Sequence, residues 1–131
     1  YGHHPSEIEV TLDALKEHTE GKLVCVWQPH TYSRTKALFD DFLTCFDSAD
    51  EVIITDIYAA REKYDSSIHS KDVVDALKEK GINAKYLATF EEARDYVYEI
   101  ANPADLIITT GCGNPDVLAH MIVDDQVKVS A

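Results

Sequence analysis

The fold is decided by the stretch KLVCVWQPHTYSRT, residues 22–35, in which a strand, a loop and the start of a helix follow one another. Residues 22–27 form a largely apolar run, which is typical of a strand buried on both faces. Pro29 ends this strand because it has no N–H for the ladder and its φ is fixed. His30 and Arg34 follow, with hydroxyl side chains between them. Since ligands bind at the carboxyl ends of the strands in open α/β sheets, this loop is a predicted binding site.

Helices and strands alternate along the remainder of the chain. Apolar residues at helical spacing predict helices over 5–21, 70–81, 89–103 and 115–123, with Ser70 as an N-cap and Thr89 with Glu92 as a capping box. A further helix is predicted to open near Arg34 and to carry its apolar stripe over 38–46. Continuous apolar runs predict further strands over 50–57, 84–87 and 105–110, and residues 126–129 could be a strand or a tail. This alternation predicts an α/β fold with a Rossmann-like, doubly wound and mostly parallel sheet flanked by helices.

The charge of the chain excludes several classes of partner. There are 12 basic and 24 acidic residues, which gives a net charge of −12. Nucleic-acid-binding proteins normally need a basic face, and anionic lipid repels an acidic surface. We therefore expect neither nucleic acid nor a membrane as a partner.

Length and cysteine content indicate the setting of the protein. We expect a single domain over residues 1–131. No apolar run approaches about 18 residues, so the sequence predicts no spanning helix and no signal peptide. Cys25, Cys45 and Cys112 lack a CxxC spacing, which argues against a zinc site and for a reducing, cytoplasmic location. Because the sequence starts at Tyr1 without a methionine, we expect it to be part of a longer chain.

Arg34 is the strongest candidate for binding an anion. A cation in the first turn of a helix opposes the helix dipole and so costs stability. Placed there beside free backbone N–H groups, Arg34 would suit a carboxylate or a phosphate. The alternative is an ion pair with Asp40 or another surface acid. We expect no metal site at His3, His4 and His30, because adjacent histidines rarely point at one ion and no fourth ligand is evident.

Other motifs indicate little chemistry. The turn GCGN, residues 111–114, could open a dinucleotide-binding fingerprint, but Asp116 stands near the place of the third glycine, and a tight turn is the alternative. The sequence has no G-x-x-x-x-G-K-[ST] loop for a nucleoside triphosphate. It has no Ser-His-Asp or Cys-His signature either, so we assign no catalytic residue.

Four segments, YGHHPSE, QPHTYSRT, the DDF of the second predicted helix and TDIYAARE, occur in one order. With them, the chain resembles the C-terminal domain of the Mur ligases, and among these the ligases that join L-alanine to UDP-N-acetylmuramate. A related ligase that recycles intact tripeptide tends to have Phe-Ala in place of Tyr1-Gly2 and is the alternative within the family. A freestanding α/β module that binds a small anion is the alternative outside it.

The resemblance implies a three-domain, ATP-dependent ligase of peptidoglycan synthesis. Its N-terminal domain would hold the UDP-sugar, its central domain ATP and Mg²⁺, and this C-terminal domain the amino acid. The lactyl carboxylate of UDP-N-acetylmuramate would be phosphorylated, and the amine of L-alanine would attack the acyl phosphate. This domain alone is then expected to be inactive.

The resemblance also implies site residues. Arg34 would pair with the alanine carboxylate, with His30 and Tyr1 forming hydrogen bonds alongside. Thr31 stands where many family members have a second arginine. The residues that match substrate-binding positions are Tyr1, His3, His4, His30 and Arg34, to which Thr31 and Tyr58 are added as flanking candidates.

Overall fold

A computed structural model describes residues 4–111 and 129–130, which form a parallel sheet flanked by helices. The helices are α1 (Pro5–Glu17), α2 (Tyr32–Ala37), α3 (Phe39–Phe42), α4 (Ser70–Glu79) and α5 (Phe90–Ile100). The strands are β1 (Leu23–Gln28), β2 (Glu51–Ile54), β3 (Ala84–Tyr86), β4 (Leu106–Gly111) and β5 (Val129–Ser130). Within the described residues the strand order is β3-β2-β1-β4-β5, and every neighbouring pair is parallel. The predicted Rossmann-like α/β fold is confirmed.

Strand β1 lies at the centre of the sheet. Cys25 aligns with Val52 of β2 on one side and with Ile108 of β4 on the other. All six residues of β1 are buried, as expected of a strand that is covered on both faces. Burial raises the pKa of the Cys25 thiol to about 12, so this cysteine is an inert part of the core.

Alternate residues of β1 face two separate apolar clusters. On one face, Cys25 and Trp27 belong to a cluster with residues of α1, α3 and α4. On the other face, Val24 and Val26 join residues of α5. The ring of Trp27 lies 4.5 Å from that of Phe42, between centroids. Burying a large apolar side chain contributes about 1.5–3 kcal/mol. Because side chains of β1 are buried in both clusters, the helices on both faces pack on the same strand.

The polypeptide after β1 differs from the expected single helix. It forms the two short helices α2 and α3, which are separated at Leu38, where φ is −108° and ψ is 17°. Beyond this break Phe42 and Phe46 pack against the ring of Trp27. Tertiary packing of these aromatic rings has thus prevailed over the helical spacing of the sequence.

Strand β2 is shorter than the predicted run over 50–57. Past Ile54 the backbone still meets its neighbours, because Thr55 N donates to Trp27 O at 3.0 Å. Asp56 N donates to Ala88 O at 3.2 Å. The chain then continues into the loop over 58–69.

The cap of α5 is as expected and that of α4 is not. Thr89 and Glu92 form the predicted capping box of α5. The prediction that Ser70 caps α4 is wrong, because His69 is the N-cap and its Nδ1 accepts from Lys71 N at 3.0 Å. The Ser70 hydroxyl instead donates to Thr55 O at 2.5 Å, which fixes the start of α4 to the end of β2.

Some predictions fall on or beside residues outside the described ranges. The turn after Gly111 and the helix over 115–123 lie outside them. At the end of the chain, Val129–Ser130 is a strand, β5, which pairs with Ile107 and Ile108 of β4. No helix within 4–111 has the length and apolar content needed to cross a membrane.

The start of β1 is anchored by a buried carboxylate. Asp105 accepts hydrogen bonds from Lys22 N at 2.8 Å and from Asn102 N at 2.9 Å. Gly21 lies directly against this carboxylate and the Ala104 backbone, so that a Cβ there would lie 2.8 Å from the Ala104 carbonyl and closer still to Asp105 Oδ1. A side chain at Gly21 would displace the junction between β1 and β4.

We expect Gly21→Ala to lower the free energy of unfolding of the 131-residue chain by about 1–3 kcal/mol, the usual cost of forcing atoms into a packed site. Urea denaturation followed by circular dichroism measures this. Glu20→Ala, at the neighbouring exposed position, is the control and should change little. Equal stability of the two variants would contradict the close approach.

Candidate functional site

Two loops meet at the carboxyl edge of the sheet, one after β1 and one after β2. His30 and Tyr58 form an isolated parallel bridge between them. Tyr58 N donates to Pro29 O, and Thr31 N donates to Tyr58 O, each at 2.8 Å. The rings of His30 and Tyr58 lie 5.9 Å apart at an angle of 30°. The structure therefore brings together His30, Thr31 and Tyr58, all predicted site residues.

Thr31 has a backbone conformation that is rare for a β-branched residue. Its φ is 64° and its ψ is 149°, a region populated mainly by glycine. Its side chain caps α2 by accepting from Arg34 N at 3.2 Å, and its carbonyl accepts from Thr35 Oγ1 at 2.7 Å. Strain of this kind costs about 1–3 kcal/mol and persists only where the surroundings enforce it.

Arg34 lies in the first turn of α2 and is half-buried. Within residues 4–111 no carboxylate forms an ion pair with its guanidinium, and the alternative of a pair with Asp40 is not observed there. A guanidinium with its donors in a planar fork suits a carboxylate or a phosphate.

The backbone N–H groups beside Arg34 are not free, contrary to the expectation from sequence. Glu62, from the loop after β2, accepts from Tyr32 N at 2.7 Å and from Ser33 N at 3.1 Å through Oε1. Its other oxygen accepts the Ser33 hydroxyl, and these Ser33 bonds hold the pKa of Glu62 below its ordinary value. An anionic ligand would therefore rely on the Arg34 side chain rather than on the amides of α2.

Sequence reasoning missed Glu62. The available signal was the acidic residue at the end of TDIYAARE, which shares one motif with Tyr58. The partners of Glu62 lie about 30 residues earlier in the chain, so no local pattern identifies them.

A second tether joins the same loop to α2. Lys36 Nζ lies 2.6 Å from Asp65 Oδ2 and 3.1 Å from Ser67 Oγ. The bonds from Lys36 and Ser67 hold the pKa of Asp65 well below its usual range. The loop over 58–69 is therefore attached to α2 at two points, by Glu62 at the start of the helix and by Asp65 at Lys36 near its end.

His4 lies at the start of α1. Its Nδ1 accepts from Ser6 N at 3.2 Å and so caps α1. It lines a pocket of about 300 Å³ together with Asp41 and Cys45, among others, and neither His30 nor Arg34 lines that pocket. Tyr1 and His3 lie outside the described residues. Of the predicted histidines, His30 forms the bridge between the two loops, and His4 caps α1.

Another pocket, of about 310 Å³, is lined partly by residues of the loop that carries Glu62. Tyr32, Asp56, Tyr64 and His69 line it, among others. The Tyr86 hydroxyl donates to Asp56, and burial together with this bond raises the pKa of Tyr86 to about 12. Asp56 lies two residues beyond the end of β2, and sequence reasoning did not include it in the site.

The described residues do not fit ATP and Mg²⁺. Across residues 4–111 and 129–130, no three His, Cys, Asp or Glu side chains are grouped so that they could hold a metal ion. The sequence has no phosphate-binding G-x-x-x-x-G-K-[ST] loop.

A family model described as "Mur ligase, glutamate ligase domain" matches residues 1–113. The chain belongs to the Mur ligase family. UDP-N-acetylmuramate–L-alanine ligase from Clostridium botulinum (strain Okra / Type B1) is 48% identical over 124 residues, which are 95% of this chain and 27% of that protein. The ligase of the same name from Caldanaerobacter subterraneus subsp. tengcongensis is 47% identical over 128 residues, which are 98% of this chain and 28% of that protein. The chain thus spans about a quarter of the length of these curated relatives.

Solved structures show the same Mur ligase fold. UDP-N-acetylmuramate–alanine ligase from Thermotoga maritima superposes with a TM-score of 0.70 at 23% identity, over 95% of this chain and 25% of that one. A domain from Haemophilus ducreyi 35000HP, of a putative UDP-N-acetylmuramate:L-alanyl-gamma-D-glutamyl-meso-diaminopimelate ligase, gives a TM-score of 0.69 at 20% identity. That match covers 97% of this chain and 87% of that one. At these identities the likeness concerns the fold alone.

The strain at Thr31 of this Mur ligase domain is testable. Thr31→Ala removes the cap and keeps the positive φ, so we expect a loss of about 1 kcal/mol in the free energy of unfolding. Thr31→Gly also removes the cap but accommodates the φ, so it should be more stable than Thr31→Ala by about 1 kcal/mol. Urea denaturation of the 131-residue chain compares the two. Equal stabilities would show that the backbone at Thr31 is not strained.

Proposed function

We propose that this domain receives the amino acid in an ATP-dependent ligase that joins L-alanine to UDP-N-acetylmuramate in peptidoglycan synthesis. Two relatives at 47–48% identity bear the name of that activity, which supports the choice of L-alanine. The observation that carries the proposal is Arg34, a half-buried arginine at the carboxyl edge that no carboxylate of residues 4–111 engages. In a domain of net charge −12, it is a local exception suited to an anionic group.

In the proposed complex, Arg34 binds the alanine carboxylate through two parallel N–H bonds. His30 and Tyr1 form hydrogen bonds to the bound alanine beside Arg34. Thr31 and Tyr58 lie in the two loops that flank it. The contribution of the domain is to hold the amine in position for attack, which turns an encounter of two molecules into a step within one complex. His3 and His4, which precede α1, are proposed as further substrate contacts.

The bond-forming chemistry is assigned to no side chain of this domain. In the proposed reaction the lactyl carboxylate of UDP-N-acetylmuramate is phosphorylated, and the alanine amine then displaces phosphate to form the amide. The described residues do not fit ATP or Mg²⁺, so we propose that the protein's own central domain binds both and that its N-terminal domain binds the UDP-sugar. Closure of the three domains would then assemble a site that none of them contains alone.

The overall activity is tested with the full-length protein, ATP, Mg²⁺ and UDP-N-acetylmuramate. We expect release of ADP and phosphate with L-alanine and much less with glycine, L-serine or the L-Ala-γ-D-Glu-meso-diaminopimelate tripeptide. A methyl-sized pocket discriminates by only about 1–3 kcal/mol, so glycine and serine should retain some turnover.

Three outcomes would contradict the proposal in different ways. Turnover with the tripeptide alone would identify the recycling ligase. Binding of a small anion without any ligation would favour a freestanding module. ADP formation by the 131-residue domain alone would contradict its expected inactivity.

The role of Arg34 has its own test. We expect Arg34→Ala in the full-length ligase to raise the alanine KM by about tenfold or more while the KM for ATP stays unchanged, because a hydrogen-bonded charge pair contributes about 1.5–3 kcal/mol. Arg34→Lys should recover only part of this loss, since lysine cannot form the bidentate pair. Arg94→Ala is the matched control, because Arg94 pairs with Asp95 on the surface of α5. An unchanged alanine KM in Arg34→Ala would disprove the assignment.

A further inference from the structure

The first turn of α2 depends on a neighbouring loop for its hydrogen-bond acceptors. Thr31 N donates to Tyr58 O at 2.8 Å. Tyr32 N and Ser33 N both donate to Glu62 Oε1, at 2.7 and 3.1 Å. The N–H groups in the first turn of a helix have no acceptor within the helix. The loop after β2 supplies these acceptors from about 30 residues away.

Glu62 directs its charge to this backbone rather than to a basic side chain. Within residues 4–111 no Lys or Arg forms an ion pair with it. Its bonds to the hydroxyl and the N–H of Ser33 lower its pKa, so the carboxylate is ionised at neutral pH. A negative charge at this position also complements the dipole of the helix start.

The turn that Glu62 holds is the one that carries Arg34. Arg34 N donates to Thr31 Oγ1 at 3.2 Å, so Arg34 and the strained Thr31 belong to one hydrogen-bonded turn. A positive φ at a threonine persists only where neighbouring contacts enforce it. Glu62 supplies two such contacts, at the residues that lie between Thr31 and Arg34.

We propose that Glu62 is a positioning residue of the amino-acid site, which holds the first turn of α2 in the conformation that directs Arg34 towards the substrate carboxylate. The inference rests on the proposed role of Arg34. Glu62 itself touches no substrate and acts through the backbone of α2. Displacements of about 1 Å at a binding group reduce catalytic efficiency by up to about 100-fold, so loss of this support should be measurable.

The experiment is a double-mutant cycle in the full-length ligase with Glu62→Ala, Arg34→Ala and the double variant. We expect Glu62→Ala to raise the alanine KM by about tenfold, with the KM for ATP unchanged. In the Arg34→Ala background the same change should raise the alanine KM less than about twofold, because the group that Glu62 positions is already gone. Glu62→Gln keeps an oxygen for Tyr32 N and Ser33 N and should recover most of the affinity.

A structural cap elsewhere provides the matched control. Glu92 accepts from Thr89 N at 3.4 Å in the capping box of α5, so Glu92→Ala also removes a carboxylate from a helix start. We expect it to lower the melting temperature and to leave the alanine KM unchanged. A purely structural role for Glu62 would give the same result as Glu92, and that result would overturn the proposal.

The remaining outcomes separate the two proposals. If Arg34→Ala raises the alanine KM and Glu62→Ala does not, the role of Glu62 is wrong and that of Arg34 stands. If the two effects multiply in the double variant, Glu62 does not act through Arg34 and the inference is also wrong. If Arg34→Ala has no effect, both fail. Should Glu62→Ala not fold, the cycle with Glu62→Gln decides, because multiplication of its smaller effect in the Arg34→Ala background would equally overturn the proposal.

Discussion

The central strand β1 is the constraint on which the rest of this domain depends. Its six residues are buried, and they pair with β2 on one side and β4 on the other. Because a strand in this position must be apolar on both faces, it requires a helical layer on each side. Trp27 fixes one layer by its contacts with Phe42 and Phe46, and Val24 with Val26 fixes the other.

The predicted site residues that the structure brings together lie where this strand ends. His30, Thr31 and Arg34 follow β1 within a few residues, and the loop after β2 arrives at the same edge through Tyr58 and Glu62. Backbone hydrogen bonds join the two loops beside the strained Thr31, and the half-buried Arg34 follows within the same turn. A site of this kind is suited to positioning a ligand, which agrees with the proposal that the bond-forming chemistry belongs to other domains.

The element pattern of the sequence predicted the fold because that pattern is local. Buried runs and the capping box of Thr89 and Glu92 are each visible within a few positions of the chain. Predictions failed where distant contacts decided the outcome. The break at Leu38 follows the packing of aromatic rings, and the cap at His69 leaves the Ser70 hydroxyl to bond Thr55 in another element.

The sequence by itself determined the parallel α/β fold, the family and the identity of His30, Thr31 and Arg34 as a cluster at a strand end, since each depends on residues that are close in the chain. Only the tertiary structure decided that His4 caps α1 and that Glu62 accepts hydrogen bonds from the N–H groups of Tyr32 and Ser33. The physical reason is that a backbone N–H at a helix start takes whichever acceptor the fold brings to it. That acceptor comes from a loop about 30 residues away, and no spacing within either segment specifies the pairing.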